Sequence, residues 1–387
     1  MAISFDFSTA SRIIFGVGKI NEIGEIVQSL GKKVYILSGL PMGQTLNKLL
    51  QRLDASGLDR QVDYVTDEPS IQTLAGSLHR MEFFDPDVVI GFGGGSAIDT
   101  AKTVAALITN PGDLIDYLEV IGRGKQISVP PVPMVAIPTT AGTGSEVTRN
   151  AVIGDSEKRV KVSLRSQLLF PKVALVDPEL TLDLPPHITA STGMDALTQL
   201  IEPLTSNKAN PLTDAICLEG LHRVVHSLHE AYLHGDNLDA RQDMAYASLL
   251  GGIALTNAKL GVVHGFASVL GGMFSAPHGA VCARLLPFTV EVNIKALLDR
   301  NPSNGVLGKY LEIAKIVTGQ ADANLVDGVA WLRSLLDELM IRPLHEYGLR
   351  PADFHEIVQK TKTASSTQGN PILLNDHELF EILDRAF

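Results

Sequence analysis

Two patterns of hydrophobic and polar positions divide the chain near residue 184. Before it, short runs of β-branched residues alternate with amphipathic stretches, which is typical of a mostly parallel sheet covered by helices on both faces. The runs predict strands over residues 12–15, 33–37, 61–65, 88–91, 134–137 and 173–176. The stretches over residues 20–30 and 71–81 predict two of the intervening helices.

After residue 184 the alternation gives way to long segments with helical periodicity, clearest over residues 212–231, 240–255 and 329–339. We therefore predict an α/β N-terminal domain over residues 1–184 and an all-α C-terminal domain over residues 185–387. A cleft between two domains is a favoured place for a ligand, so we expect the functional site there.

Composition narrows the class of protein. The chain has 387 residues, of which 45% are hydrophobic and 19% charged, enough for two domains with real cores. The net charge of −11, without basic clusters interleaved with aromatics, argues against a nucleic-acid partner. The N-terminus lacks an export signal, and no apolar run approaches the ~20 residues of a membrane span. Two unpaired cysteines, Cys217 and Cys282, suit packed thiols in a reducing cytoplasm.

A candidate metal site begins in the helical half. Asp195 and Gln199 are four residues apart and share a helical face, while His264 and His278 each precede a glycine. Glycines and a proline between the histidines predict that two separate elements carry them. A carboxylate and two imidazoles with a weak or open fourth position form the ligand set of a catalytic metal. The alternative is that these are ordinary packed side chains.

A second group of histidines has the spacing of a metal site without its other features. His222, His226 and His229 share one face of the helix predicted over residues 212–231. No acidic residue converges with them in an evident way, so we interpret them as a solvated polar stripe.

Two loops in the N-terminal half have the composition of phosphate-binding loops. Gly93, Gly94, Gly95 and Ser96 follow a buried strand and open a helical segment that contains Asp99. Glycines let the backbone approach phosphate oxygens, and the start of the helix favours an anion. A tight turn is the alternative interpretation of this loop alone.

The second loop also follows a strand and is rich in hydroxyl groups, with Thr139, Thr140 and Thr143. Hydroxyls can bond to phosphate, ribose or a carboxamide, although such a turn can also cap the next helix. Two such loops in one sheet predict a dinucleotide.

Together these residues resemble the iron-containing, group III alcohol dehydrogenase family within the dehydroquinate synthase-like superfamily, over almost the whole chain. The matching motifs are Gly93 to Ser96 with Asp99 and Lys102, Pro138 to Glu146, Val176 to Leu180, Gly193 to Leu197, His264, and His278 with Gly279. The resemblance implies an N-terminal dinucleotide-binding domain, a C-terminal metal-binding domain, NAD or NADP, iron(II) or alternatively zinc, and a homodimer. It also implies that Gly39, Lys161 and Leu180 contribute to the cofactor site.

The sequence departs from the family pattern at two positions of the implied site. Gln199 stands where the family usually has a histidine ligand, and an amide oxygen is a weaker donor than imidazole. Ser268 stands where a further histidine is common, which removes a possible proton carrier. Gly39 stands where NAD-specific relatives often carry an Asp.

The sequence therefore predicts reversible hydride transfer between a primary alcohol or its aldehyde and NAD(P). Asp195, His264 and His278, with Gln199, would hold a divalent cation that polarises the substrate oxygen. Three alternatives stay open: a metal-independent keto-acid reductase of the maleylacetate type, a lyase resembling dehydroquinate synthase, and a non-enzymatic relic.

Overall fold

The computed structural model describes residues 3–274 and 276–387, which form two compact units. One unit is Thr9–Asp183, and the other is Leu184–Phe387 together with the N-terminal residues up to Ser8. The backbone amide of Ser8 donates to Asn257 Oδ1 at 2.8 Å, and Asn257 Nδ2 donates back to the Ser8 carbonyl at 3.0 Å. These bonds attach the N-terminal segment to the helical unit, whereas the sequence analysis placed it with the α/β unit.

A parallel six-stranded sheet is the centre of the first unit, with the order β1-β8-β5-β4-β2-β3. The six strands coincide with the six predicted from sequence, to within two residues at each end. Their bounds are β1 Ile13–Phe15, β2 Lys33–Ser38, β3 Asp59–Tyr64, β4 Val88–Gly93, β5 Met134–Pro138 and β8 Val173–Val176.

Both faces of this sheet are buried. Along β2, Val34 and Ile36 belong to one hydrophobic cluster, while Tyr35 and Leu37 belong to another. Because successive side chains of a strand point to opposite faces, the two clusters lie on opposite sides of the sheet. The helices of this unit are α1 Ile23–Gln28, α2 Gln44–Ala55, α3 Ile71–Phe84, α4 Gly95–Thr109 and α5 Leu114–Tyr117.

An antiparallel hairpin in the first unit was not predicted. It consists of β6 Asn150–Asp155 and β7 Val160–Arg165. The alternation was present, because Val162 and Leu164 are buried while Arg165 is exposed. The pattern was too short and too near the hydroxyl-rich loop to be recognised as a strand pair.

The second unit is helical, as predicted. The helices predicted over residues 212–231, 240–255 and 329–339 correspond to α7, α8 and α12. The bounds are α6 Pro186–Thr205, α7 Pro211–Leu233, α8 Leu238–Ala258, α9 Val262–Met273, α10 His278–Arg300, α11 Val306–Thr318, α12 Leu325–Glu338, α13 Phe354–Thr363 and α14 Asp376–Ala386.

The apolar residues of these helices are largely buried within the unit, as at Met244, Leu249 and Ala254 of α8. Within the described residues, no single helix has both the length and the apolar character needed to cross a membrane. Helices α8 and α9 reach that length and composition only when taken together, and they are bent by 99° at the break between them.

Candidate metal centre and cofactor loops

Helix α6 carries the first candidate ligand on a buried face. Asp195, Gln199 and Glu202 recur at spacings of four and three residues, so they lie along one side of the helix, and all three are buried. Gly193 allows this helix to pack closely, because an added Cβ there would lie 2.2 Å from Leu228 Cδ1 of α7.

The two histidines begin two different helices, as the sequence analysis predicted. His264 lies in the first turn of α9, and His278 is the first residue of α10. The glycine after each histidine permits a close approach of the neighbouring chain. A Cβ added to Gly265 would lie 2.0 Å from Thr367 Oγ1, and one added to Gly279 would lie 2.4 Å from a backbone oxygen of α6. Packing at these glycines therefore fixes both imidazoles relative to their neighbours.

Three of the four predicted metal ligands come together. Asp195 Oδ1 lies 3.2 Å from His264 Nε2 and 3.9 Å from His278 Nε2. The centroids of the two imidazole rings are 5.4 Å apart. The fourth, Gln199, is buried one turn along α6, and its Oε1 would lie 3.4 Å from a Cβ added to Gly251 of α8.

Buried polar atoms without hydrogen-bond partners show that a cation fits this cluster. Asp195 Oδ1, His264 Nε2 and Gln199 Oε1 are all buried and unpartnered. Buried polar groups are nearly always satisfied, and a metal ion would satisfy an oxygen and an imidazole nitrogen that face each other. The donor set of one carboxylate and two imidazoles suits iron(II) or zinc.

The electrostatics of the cluster also favour a positive charge. Burial raises the pKa of Asp195, but His278 and His264 outweigh it, so the net pKa lies below the usual value. Burial lowers the pKa of His264, but Cys282, Asp195 and Glu202 outweigh it, so its net pKa lies well above the usual value. The carboxylates around His264 therefore favour a positive charge at this position, which either a proton or a metal ion can supply.

Glu202 belongs to the candidate site but was not predicted from the sequence. Its Oε2 accepts from His264 Nδ1 at 2.7 Å, and its Oε1 accepts from the backbone amide of Val263 at 2.7 Å. The first bond keeps the proton on Nδ1 and leaves the Nε2 lone pair directed at Asp195. The available signal was the spacing, because Glu202 follows Asp195 by seven residues on the same helical face.

Replacing Glu202 should weaken metal binding without removing a ligand. Glu202→Gln is expected to lower metal affinity by about 10- to 100-fold, because the amide no longer fixes the tautomer of His264. Chelator competition measures the affinity, and Glu219→Gln, at a half-exposed surface carboxylate on α7, serves as the control. Equal affinities in both variants would contradict this role.

Cys282 also belongs to the cluster, which corrects the prediction that it is only a packed thiol. Its Sγ lies 3.7 Å from His278 Nε2, and one ligand atom each of Asp195, His264, His278 and Cys282 lies within 4.8 Å of all the others. Cys217 does fit the prediction, since it is a buried free thiol on α7.

The remaining polar candidates of this unit are Ser268 and the three histidines of α7. The Ser268 hydroxyl donates to the Gly265 carbonyl one turn earlier in α9, at 2.9 Å. His222, His226 and His229 are exposed on α7, as expected for a solvated stripe.

In the first unit, the glycine loop and the hydroxyl-rich loop lie side by side. The Thr139 amide donates to the Gly93 carbonyl at 3.0 Å. A Cβ added to Gly94 would lie 3.4 Å from Thr140 Cγ2, and one added to Gly95 would lie 2.9 Å from Thr143 Cγ2. Because Gly94 caps α4 and Gly95 begins it, the free amides of this helix start are next to the threonines.

Gly93 and Gly39 allow two strand ends to meet. Gly93 has φ +150°, and an added Cβ there would lie 3.0 Å from the Gly39 backbone. At Gly39 an added Cβ would lie 3.3 Å from Ala97 Cβ. These contacts leave little room for any side chain where β2 and β4 end.

Asp99 lies inside a buried polar network. Its carboxylate accepts from the Ser145 hydroxyl at 2.5 Å and from the Val152 amide at 2.9 Å, and lies 3.6 Å from Lys102 Nζ. Lys102 in turn donates to Thr148 Oγ1 at 2.8 Å. The network joins α4 to the hydroxyl-rich loop and to β6, so Asp99 positions the loops.

The other predicted cofactor residues occupy varied positions. Ser96 follows Gly95 in the first turn of α4, and Thr139 is buried with an unpartnered hydroxyl. Lys161 lies on β7 and forms an ion pair with Glu68. Leu180 lies in a short helical turn and belongs to one of the two hydrophobic clusters of the sheet.

Comparison with known proteins places these features in context. Residues 10–178 match the family model "Iron-containing alcohol dehydrogenase", and residues 189–387 match "Fe-containing alcohol dehydrogenase family, C-terminal". A 1,3-propanediol dehydrogenase of Klebsiella pneumoniae is 34% identical, covering 99% of each chain. Alcohol dehydrogenase 4 of Saccharomyces cerevisiae strain YJM789 is 33% identical, covering 96% of each chain. A crystal structure of a 1,3-propanediol oxidoreductase is 32% identical with a TM-score of 0.92, covering 99% of this chain and all of that one.

Proposed function

Because this chain belongs to the iron-containing alcohol dehydrogenase family, we propose that it transfers a hydride reversibly between a primary alcohol or its aldehyde and NAD(P). The observation that carries the proposal is the pair of buried, unpartnered atoms Asp195 Oδ1 and His264 Nε2, 3.2 Å apart. The similarity to alcohol and propanediol dehydrogenases does not favour the keto-acid reductase or the lyase.

Asp195, His264 and His278 are the residues that we propose hold the metal, which is iron(II) or zinc. When bound, a divalent cation acts as a Lewis acid that polarises the substrate oxygen and favours the alkoxide. Asp195 supplies the negative charge, and Glu202 holds His264 in the tautomer whose Nε2 is free. His278 is the most exposed of the three, with 35% of its side chain accessible, so substrate would approach from its side.

The cofactor would be anchored in the first unit. We propose that the diphosphate binds the amides at the start of α4, where Gly94 and Gly95 leave space against Thr140 and Thr143. Fixing the diphosphate orients the nicotinamide for hydride transfer, since this reaction requires close alignment of the two carbons. The Ser268 hydroxyl is bonded within α9, so we propose that water takes the alcohol proton.

Gly39 bears on the choice of coenzyme. A carboxylate at the end of this strand would bond the ribose hydroxyls and repel a 2′-phosphate, and Gly39 provides none. NADP is therefore expected to be used at least comparably with NAD. Steady-state rates with both coenzymes measure this, and a kcat/KM with NAD more than about a hundredfold higher, ~2.7 kcal/mol, would contradict it.

The decisive test of the function is coenzyme turnover by the metal-loaded protein. We expect NADH or NADPH oxidation with straight-chain aldehydes, the reverse reaction with the matching alcohols, and loss of both after chelation. A panel of keto acids serves as the comparison. Turnover confined to keto acids, or full activity after complete removal of metal, would reject the proposal.

Homodimer formation and a cytoplasmic location remain predictions. The net charge of −11 supports the absence of a nucleic-acid partner. Sedimentation of the purified protein measures the oligomeric state, and a monomer at micromolar concentration would contradict the dimer.

A further inference from the structure

Cys282 has no role in the mechanism above, yet its sulfur lies within the candidate metal centre. We propose that the Cys282 thiolate is a fourth protein ligand of the metal, which fills the weak position expected for Gln199. The inference rests on the proposed function in one respect: it assumes the metal that Asp195, His264 and His278 would hold.

Distances within the cluster support four ligands around one ion. Tetrahedral bonds of about 2.0 Å to N or O and about 2.3 Å to S place neighbouring ligand atoms roughly 3.3–3.7 Å apart. Asp195 Oδ1 and His264 Nε2 are 3.2 Å apart, and Cys282 Sγ and His278 Nε2 are 3.7 Å apart. Asp195 Oδ1 and His278 Nε2, at 3.9 Å, are close to the same range. The sulfur is therefore as near to His278 as the predicted ligands are to each other, and it lies within 4.8 Å of the ligand atoms of Asp195 and His264.

The position of Cys282 on α10 explains why the sulfur is directed at this cluster. It follows His278 by four residues, so the two side chains lie one turn apart on the same helical face. Its side chain is fully buried, and its Sγ lies within 4.8 Å of a ligand atom of Asp195, of His264 and of His278. A cysteine that only filled space would be expected among apolar side chains rather than among three polar ones.

Gln199 is the weaker candidate for this position. An amide oxygen is a neutral donor, whereas a thiolate adds a negative charge and is a strong ligand for zinc. On metal binding the S–H bond of Cys282 breaks, the sulfur–metal bond forms and the proton passes to solvent, with no change of oxidation state. A sulfur ligand should also shift metal preference towards zinc and away from iron(II).

X-ray absorption of the zinc-loaded protein tests the inference directly. We expect one Zn–S distance of about 2.3 Å beside N and O distances of about 2.0–2.1 Å. The cobalt-loaded protein should show a near-ultraviolet thiolate-to-cobalt charge-transfer band. Both signals should disappear in Cys282→Ser and persist in Gln199→Ala. The matched control is Cys217→Ser, which removes the other buried free thiol and should leave both signals unchanged.

Zinc affinity gives a second readout. Cys282→Ser is expected to bind zinc at least about tenfold more weakly, because losing even a group that supports a ligand costs 10- to 100-fold. Wild-type protein with stoichiometric zinc, only N and O neighbours and no charge-transfer band would overturn the inference, whether or not Cys282→Ser folds. If that zinc-loaded protein without a sulfur ligand is active, the proposed function is retained and only the role of Cys282 is rejected. A sulfur-bound metal without hydride transfer would reject the proposed function alone.

Discussion

Asp195→Asn is expected to lower kcat/KM for alcohol oxidation by about three orders of magnitude, ~4 kcal/mol of transition-state stabilisation. Among the four clustered residues that the structure describes, Asp195 supplies the carboxylate, and its Oδ1 lies within 4 Å of both imidazoles. The asparagine keeps the shape but loses the charge that holds the cation. Initial rates and elemental analysis of the same preparation measure both consequences.

The control for this variant is Asp239→Asn, at an exposed acid in the first turn of α8. It should keep wild-type activity and metal content. The metal is not needed if Asp195→Asn has the same melting temperature as the wild-type protein, contains no metal and still turns over at the wild-type rate. Retention of stoichiometric metal would instead show that the other ligands suffice to hold it.

Gly94→Val is expected to raise the dissociation constant of NADH and NADPH by about 100-fold, ~2.7 kcal/mol, while the fold is kept. A Cβ at Gly94 would lie 3.4 Å from Thr140 Cγ2, an ordinary contact, and its φ of −74° suits any residue. The added methyl groups would therefore occupy the space beside the amides of α4 rather than disturb the sheet. Fluorescence titration measures the affinity, and circular dichroism checks the fold.

Neighbouring glycines show why Gly94 is the informative position. Gly93→Ala would strain a φ of +150° and press on the Gly39 backbone, so a loss of affinity there could come from misfolding. A harmless control is Gly305→Val at the start of α11, where an added Cβ meets no atom within 4 Å. Unchanged coenzyme affinity in Gly94→Val would show that the diphosphate binds elsewhere.

The four inner strands of the sheet, β2, β4, β5 and β8, were predictable because they are buried on both faces and read as short apolar runs. For example, β4 Val88–Gly93 is buried throughout and therefore contains no polar side chain, which makes it recognisable from its composition alone. The hairpin β6 and β7 was missed because it is only partly buried and its pattern is short.

The metal cluster was only partly predictable because its members come from three helices. Asp195, His264 and His278 were recognisable by residue type, because a carboxylate and two imidazoles form the ligand set of a catalytic metal. Glu202 and Cys282 carried only the weaker signal of helical spacing, seven residues from Asp195 and four residues from His278. Spacing shows which residues share a face, but only the packing of α6, α9 and α10 shows what that face meets.

The close packing at Gly39 limits how the coenzyme preference could be redesigned. Introducing the carboxylate of an NAD-specific enzyme as Gly39→Asp would place its Cβ 3.3 Å from Ala97 Cβ on α4. Since α4 also begins at the loop where we propose that the diphosphate binds, moving it aside would disturb the proposed anchor of both NAD and NADP. A switch of coenzyme specificity therefore requires the double variant Gly39→Asp with Ala97→Gly. The second substitution removes the Ala97 methyl group, so α4 can keep its position.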